Sequence, residues 1–299
     1  MNKNRIKTIA LGLALCCVAT LHAQQDLMLS QQFFSRINVN PAGTGNNEKF
    51  DLFTLGRFQW AGVKNSPKTC LLNFSGYSEQ YKSSLGLTVS YDNLGVAHST
   101  TNAQLVYSYH MDITEKYILS LGLSGGANFG YFNPENNIMR DEAERNNGDT
   151  YVKEKTTEVK PDLNFGVEFT SMHWMLGASC THMIHDSSTT FQSGRHLYFY
   201  GRGFFPLTEH FDLAPALVYM HKRKTNVLEI NAMAFYNKLI WGGLTWKPDL
   251  SKPTDMSMMA ITLGLEWNMF RFGYTYDLNL GKYNNLPSNT HEIMLSCFF

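Results

Sequence analysis

The chain has 299 residues, 43% apolar and 17% charged, with 25 Lys and Arg against 25 Asp and Glu and a mean hydropathy of -0.25. That balance excludes a helical membrane protein, because after residue 21 no apolar run approaches the roughly 18 residues that a spanning helix needs. It also lacks the basic excess of a nucleic-acid binder. If such a chain lives in a membrane it must cross as strands, since in lipid only helices and closed barrels satisfy every backbone polar group.

The elements follow in chain order. Lys3, Arg5 and Lys7 precede an apolar stretch from Ile9 to Leu21, and Ala23 offers a cleavage point before Gln24, so residues 1–23 read as a secretory signal peptide. Removing them leaves 22 Lys and Arg against 25 Asp and Glu, a net charge of -3. Cys16 and Cys17 are preceded by Leu15 and Cys16, where lipid attachment calls for a small residue, which favours a signal peptide over a lipoprotein anchor. The exported chain keeps Cys70, Cys180 and Cys297, each on an apolar register and without metal or disulfide spacing. Residues 24–49, polar and turn-rich around Asn40-Pro41, are expected either to enter a barrel as a plug or to lie in the periplasm as a docking segment.

From residue 50 to 299 the pattern is strand after strand. Leu85, Leu87, Val89 and Tyr91 alternate with Ser84, Gly86, Thr88 and Ser90, and the same period of two runs from Tyr117 to Phe129. About fourteen such segments begin near Phe50, Thr69, Ser84, Thr101, Tyr117, Asp162, His173, His196, His210, Thr225, Lys238, Met256, Met269 and Thr290. In each, one register carries no charged residue, as a lipid-facing wall requires. Trp60, Tyr117, Phe129, Trp174, Trp246 and Trp267 fall toward the ends of these apolar sets, where interfacial girdles belong. Short connections such as Ser171-Met172 and Asn268 alternate with longer ones, Gly130–Pro161 and Met183–Arg195 among them. The last segment alternates from His291 to a terminal Phe299. The reading is an all-β transmembrane antiparallel barrel of about fourteen strands in the outer membrane, with lipid as its solvent.

Opposite the apolar registers lie Asp51, Arg57, Asp92, Glu168, Arg202, Glu229, Glu266, Arg271, Asp277 and Glu292. Unpaired charges in a narrow lumen are costly, so the three arginines are expected to pair with several of these acids. The mixed charge of the Gly130–Pro161 loop reads as a solvated face, not as a calcium loop. His182 and His185 share a three-residue offset without a third ligand, so no metal and no cofactor is expected. His98, His182, His185 and His196 near Ser99, Ser187 and Ser188 carry no nucleophile signature, and the chain does not read as an enzyme.

Several short blocks, taken in order, resemble a known family. They are Asn38-Val39-Asn40-Pro41-Ala42, then Arg57-Phe58-Gln59-Trp60-Ala61-Gly62 with Pro67-Lys68-Thr69, then Lys238-Leu239-Ile240-Trp241-Gly242-Gly243, Gly273-Tyr274-Thr275-Tyr276-Asp277 and His291-Glu292-Ile293. Together they resemble the PorP/SprF family of type IX secretion and gliding, with departures at Gly43-Thr44-Gly45 and Asn65-Ser66. The resemblance implies an outer-membrane barrel of Bacteroidetes-type bacteria. Such a barrel either anchors the periplasmic ring and motor lipoproteins or serves export and surface attachment of a secreted adhesin or cargo. It makes Asn40, Pro41, Arg57, Gln59, Trp60, Pro67 and Thr69 candidates for partner contact. The rival reading is a diffusion porin or small-solute channel.

Overall fold

The structure, a computed structural model, describes residues 29–45, 49–95, 97–133, 155–184, 194–222, 225–248, 257–280 and 289–299. The expected signal peptide, His185, Ser187, Ser188 and most of the longest loop lie outside them. The described chain forms a short 3-10 turn, Pro41–Gly43, and fifteen strand segments: β1 (Phe50–Phe58), β2 (Lys68–Ser78), β3 (Ser83–Asn93), β4 (His98–Thr114), β5 (Tyr117–Phe132), β6 (Thr156–Ser171), β7 (Trp174–Thr181), β8 (His196–Gly203), β9 (Phe205–Pro206), β10 (Phe211–Lys222), β11 (Thr225–Tyr236), β12 (Ile240–Pro248), β13 (Ser257–Trp267), β14 (Phe270–Asn279) and β15 (Thr290–Phe298). β9 is only a two-residue resumption of β8 beyond Phe204, and like β8 it pairs with β10. The wall therefore has fourteen staves.

Every neighbouring pair is antiparallel, and the ring closes where β15 meets β1 in an eight-pair register from Asp51 opposite Phe298 to Phe58 opposite His291. The backbones of Phe50 and Phe299 exchange two hydrogen bonds of 2.9 and 3.0 Å, and their rings stack at 5.2 Å. Closure leaves no open edge. Among the described residues no helix is long and apolar enough to cross a membrane, which says nothing against a crossing by strands.

The pleat sends alternate side chains to opposite faces. Leu52, Leu72, Leu85, Leu105, Leu123, Phe165, Phe199, Leu217, Leu244, Leu263, Phe272 and Leu295 point outward and are exposed. Lys68, at one end of β2, is the single charged residue on the outward register of the described strands. Glu168, Glu229, Asp277 and Glu292 face inward and are buried. The two ends of the barrel differ. Turns such as Met172-His173 and Asn268-Met269 close one rim, while the connections after β1, β5, β7, β12 and β14 make the longer rim.

The register corrects one expectation. The loop read as Gly130–Pro161 is shorter, because β5 and β6 pair from Phe132 opposite Thr156 to Ala127 opposite Pro161. Its charges hide the alternation: Glu158 and Lys160 face inward and pair at 3.3 Å, leaving Thr157 and Val159 for the outer face.

An arginine in place of Leu105, near the middle of β4 on the outer face, is expected to remove about 2–4 kcal/mol of barrel stability. Reversible unfolding in lipid vesicles measures it, and an unchanged stability would contradict a lipid-facing register.

Candidate functional site

The inward face is built around residues 29–45, which run through the lumen. The segment starts on the long-loop side, where the backbone N–H groups of Ser30 and Gln31 donate to the Glu292 carboxylate at 3.1 and 2.8 Å. It ends near the short-turn rim, with Gly45 against Ser84 and Tyr77. Along the way it is buried nearly throughout, from Leu29 to Thr44.

Two charged clusters hold it. In the first, Arg57 of β1 pairs with Asp277 at 2.6 Å and Glu292 at 3.0 Å. The Ser30 hydroxyl donates to Asp277 at 3.2 Å and accepts from the Lys247 ammonium at 3.2 Å. Lys247 in turn pairs with Glu229 at 3.2 Å, and Gln32 donates to the same acid at 3.3 Å. The chain of charge thus runs across β11, β12, β14, β15 and β1, with the segment bonded into its middle. In the second cluster Arg36 meets Glu168 through two bonds, Nε at 3.0 Å and Nη2 at 3.2 Å, the fork geometry that suits a carboxylate. The Tyr200 hydroxyl also donates to Glu168, and Asn40 donates to Tyr200 and to the Val167 carbonyl, both at 3.0 Å.

Local sequence explains the fit. Asn40 caps the 3-10 turn by accepting from the Ala42 N–H at 2.9 Å, and Pro41 fixes the backbone at its first position. Two wall glycines leave room for that turn. A Cβ on Gly122 would stand 2.1 Å from the Ala42 nitrogen, and one on Gly166 would stand 1.9 Å from the Asn40 side-chain oxygen. Phe34 packs on Trp241 with ring centroids 4.4 Å apart, in an apolar cluster with Leu29, Phe53, Leu55 and Met294.

Above the segment, toward the long loops, lies a polar cavity of about 130 Å³ lined by Asn38, Asp92, Asn102, Lys160, His182 and His196 among others. Its wall is ordered around Asp162, whose carboxylate accepts from Asn102 at 2.9 Å, Gln104 at 2.6 Å and Asn128 at 3.2 Å and meets His182 at 2.8 Å. The Thr69 hydroxyl donates to Asp92 at 2.6 Å.

The residues expected from sequence to make partner contacts do not form one patch. Asn40 and Pro41 are buried beside β5 and β6, Arg57 is buried at the closing seam, and Thr69 faces the lumen at Asp92. Gln59, Trp60 and Pro67 sit together at the long-loop rim, where Gln59 N–H donates to the Pro67 carbonyl at 3.1 Å; of these Gln59 and Trp60 are partly exposed and Pro67 is buried. Among the inward charges, Arg271 pairs with Glu266 at 2.7 Å, and Asp51 accepts from Ser296 at 2.6 Å. The carboxylate expected for Arg202 is missing among the described residues. Its cross-strand neighbours are Met175 and Ala216, Glu168 is taken by Arg36, and the guanidinium lies over the Phe33 ring at 5.8 Å. Sequence reasoning misses Arg36, Lys247, Tyr200 and Trp241 as lumen residues. For Lys247 and Trp241 a signal exists, since they alternate with the exposed Leu244 and Trp246. Among the described residues, no three His, Cys, Asp or Glu side chains gather as a metal site.

Truncating Glu292 to alanine removes one of the two carboxylates of Arg57, which keeps Asp277, and leaves the Ser30 and Gln31 N–H groups without their acceptor, at an expected cost of about 1–3 kcal/mol for each orphaned donor; denaturant unfolding of the folded barrel is the test. Gly122→Val is expected to displace the 3-10 turn. A cysteine placed at the buried Ser35 would then react with a maleimide that leaves the same cysteine untouched when Gly122 is kept.

Comparison with known proteins agrees with this architecture. The family described as type IX secretion system membrane protein PorP/SprF matches residues 21–297. No curated protein matches the chain. Among solved structures the chain is similar to the CymD monoaromatic hydrocarbon channel, at TM-score 0.57 and 11% identity over 93% of this chain and 95% of that one. It is similar also to the TodX deltaS2S3 mutant monoaromatic hydrocarbon channel, at TM-score 0.52 and 10% identity over 90% and 92%. At such identities the likeness concerns the fold alone. A closed barrel with an apolar outer face, in a family of this description, is a protein of the outer membrane. Matched over nearly its whole length, the chain belongs to the PorP/SprF family of type IX secretion system membrane proteins.

Proposed function

We propose that this chain is a non-conducting outer-membrane component of the type IX secretion and gliding apparatus, and that it anchors the periplasmic ring and motor lipoproteins. The observation that carries the proposal is the lumen segment, tied at Ser30, Gln31 and Arg36 to buried carboxylates of the wall. A diffusion pore needs an open aqueous lumen, whereas here the lumen holds a packed peptide. A filled barrel is a stiff stave rather than a channel, and stiffness suits a mount.

The short-turn rim supports the anchoring half. Tyr81, Ile113, Met172, Leu207, Leu239 and Met269, one at each short turn, are all exposed large apolar residues. Charged neighbours such as Lys82, paired with Asp112 at 2.7 Å, stand among them. Apolar tips within a polar rim suit contact with another protein. The polar cavity on the opposite side favours a second reading, attachment of a secreted surface protein by the long-loop end.

A photo-crosslinking residue at Met172 in the native envelope is expected to capture periplasmic lipoproteins, and the purified barrel is expected to show no steady conductance in planar bilayers. Capture of a large secreted protein from the long-loop rim alone would favour the second reading. Robust nonspecific conductance by the unmodified protein would overturn both.

A further inference from the structure

We propose that the short-turn mouth of the lumen is a receptor site for a peptide carboxylate, with Arg202 as the group that binds it. Arg202 stands near the end of β8 on the inward register, one residue before the last strand residue, Gly203, and two before the break at Phe204. It is only partly buried. Its guanidinium carbon lies over the ring of Phe33 of the lumen segment, 5.8 Å from the centroid, a cation–π contact.

The other guanidiniums in this half of the lumen are committed. Arg36 has Glu168, and Arg271 has Glu266, with its guanidinium carbon over the Phe34 and Phe298 rings at 5.1 and 4.8 Å. Both lie within electrostatic reach of Arg202. Asp212, on the inward face of β10, makes no ion pair with a described residue. Met175 and Ala216, directly across the strands, offer no side-chain carboxylate.

A guanidinium that makes no ion pair with a described residue presents a planar edge of parallel donors, and the planar ligand with matching geometry is a carboxylate. A lumen filled above this level admits such a group only from the short-turn side, as a side chain or an end of a peptide. The site depends on the lumen geometry and not on the secretion role, so either can fail without the other.

The test uses the full-length barrel in detergent micelles with nitrogen-15-labelled arginine. The probe is a short end-blocked peptide alternating glycine and glutamate. A saturable shift is expected in one arginine Nε resonance, the one that disappears in Arg202→Lys. Binding is expected to weaken about tenfold in Arg202→Lys, which keeps the charge without the fork, and to vanish in Arg202→Gln. Heat-modifiable migration on gels confirms that both variants remain folded barrels. The proposal is overturned if no saturable shift occurs, if Arg202→Gln binds as well as the parent, or if inorganic phosphate gives the shift and the peptide does not.

Discussion

The carboxylate of Glu292 ties the last strand, the first strand and the lumen segment into one unit. It belongs to the final strand, yet its donors come from the first strand, through Arg57, and from the lumen segment, through the N–H groups of Ser30 and Gln31. An unsatisfied carboxylate in that position would carry a desolvation penalty of several kcal/mol. Closing the seam and filling the lumen are therefore one event. A barrel closed without the segment would leave Glu292 short of two donors, and a segment outside the barrel would leave its own backbone to water.

From that point the organisation spreads both ways. Through Ser30 the charge chain reaches Lys247 and Glu229, so the wall from β11 round to β1 is cross-braced by one peptide. Farther along, Arg36 and Asn40 brace the opposite wall at Glu168 and Tyr200, where Gly122 and Gly166 carry no side chain and let the backbone approach. The segment also divides the interior. A polar cavity is left on the long-loop side, and Arg202 over Phe33 stands toward the short-turn side. Such a division fits a component that meets different partners at its two ends better than one that passes solutes between them.

Most of the wall can be read from sequence because a pleated strand has one simple period. Counting along β15 separates Ile293 and Leu295 on the outside from Glu292 and Met294 on the inside. The lumen segment follows no such period. Nothing in a turn-rich stretch says which wall Arg36 will meet; only the third dimension brings it to Glu168 across 132 residues of chain. The charged stretch Glu158–Lys160 misleads for a related reason, since a mutually paired inward set looks like a solvated loop until its exposed neighbours Thr157 and Val159 are placed. For Arg202 the alternation gives the correct face and the wrong company: register predicts direction, not the identity of the neighbour overhead, which is Phe33.

If residues 29–45 are an integral part of the barrel interior, locked by Glu292 and Glu168, their amides open only when the wall opens. Amide hydrogen exchange of the reconstituted protein is the decisive measurement, because exchange reports the opening free energy of each N–H. The Ser30 and Gln31 amides are expected to exchange as slowly as those of the strand core around Leu55. Exchange of these two amides at the rate of an unstructured peptide, with the strands still protected, would show that the segment is not locked in the lumen.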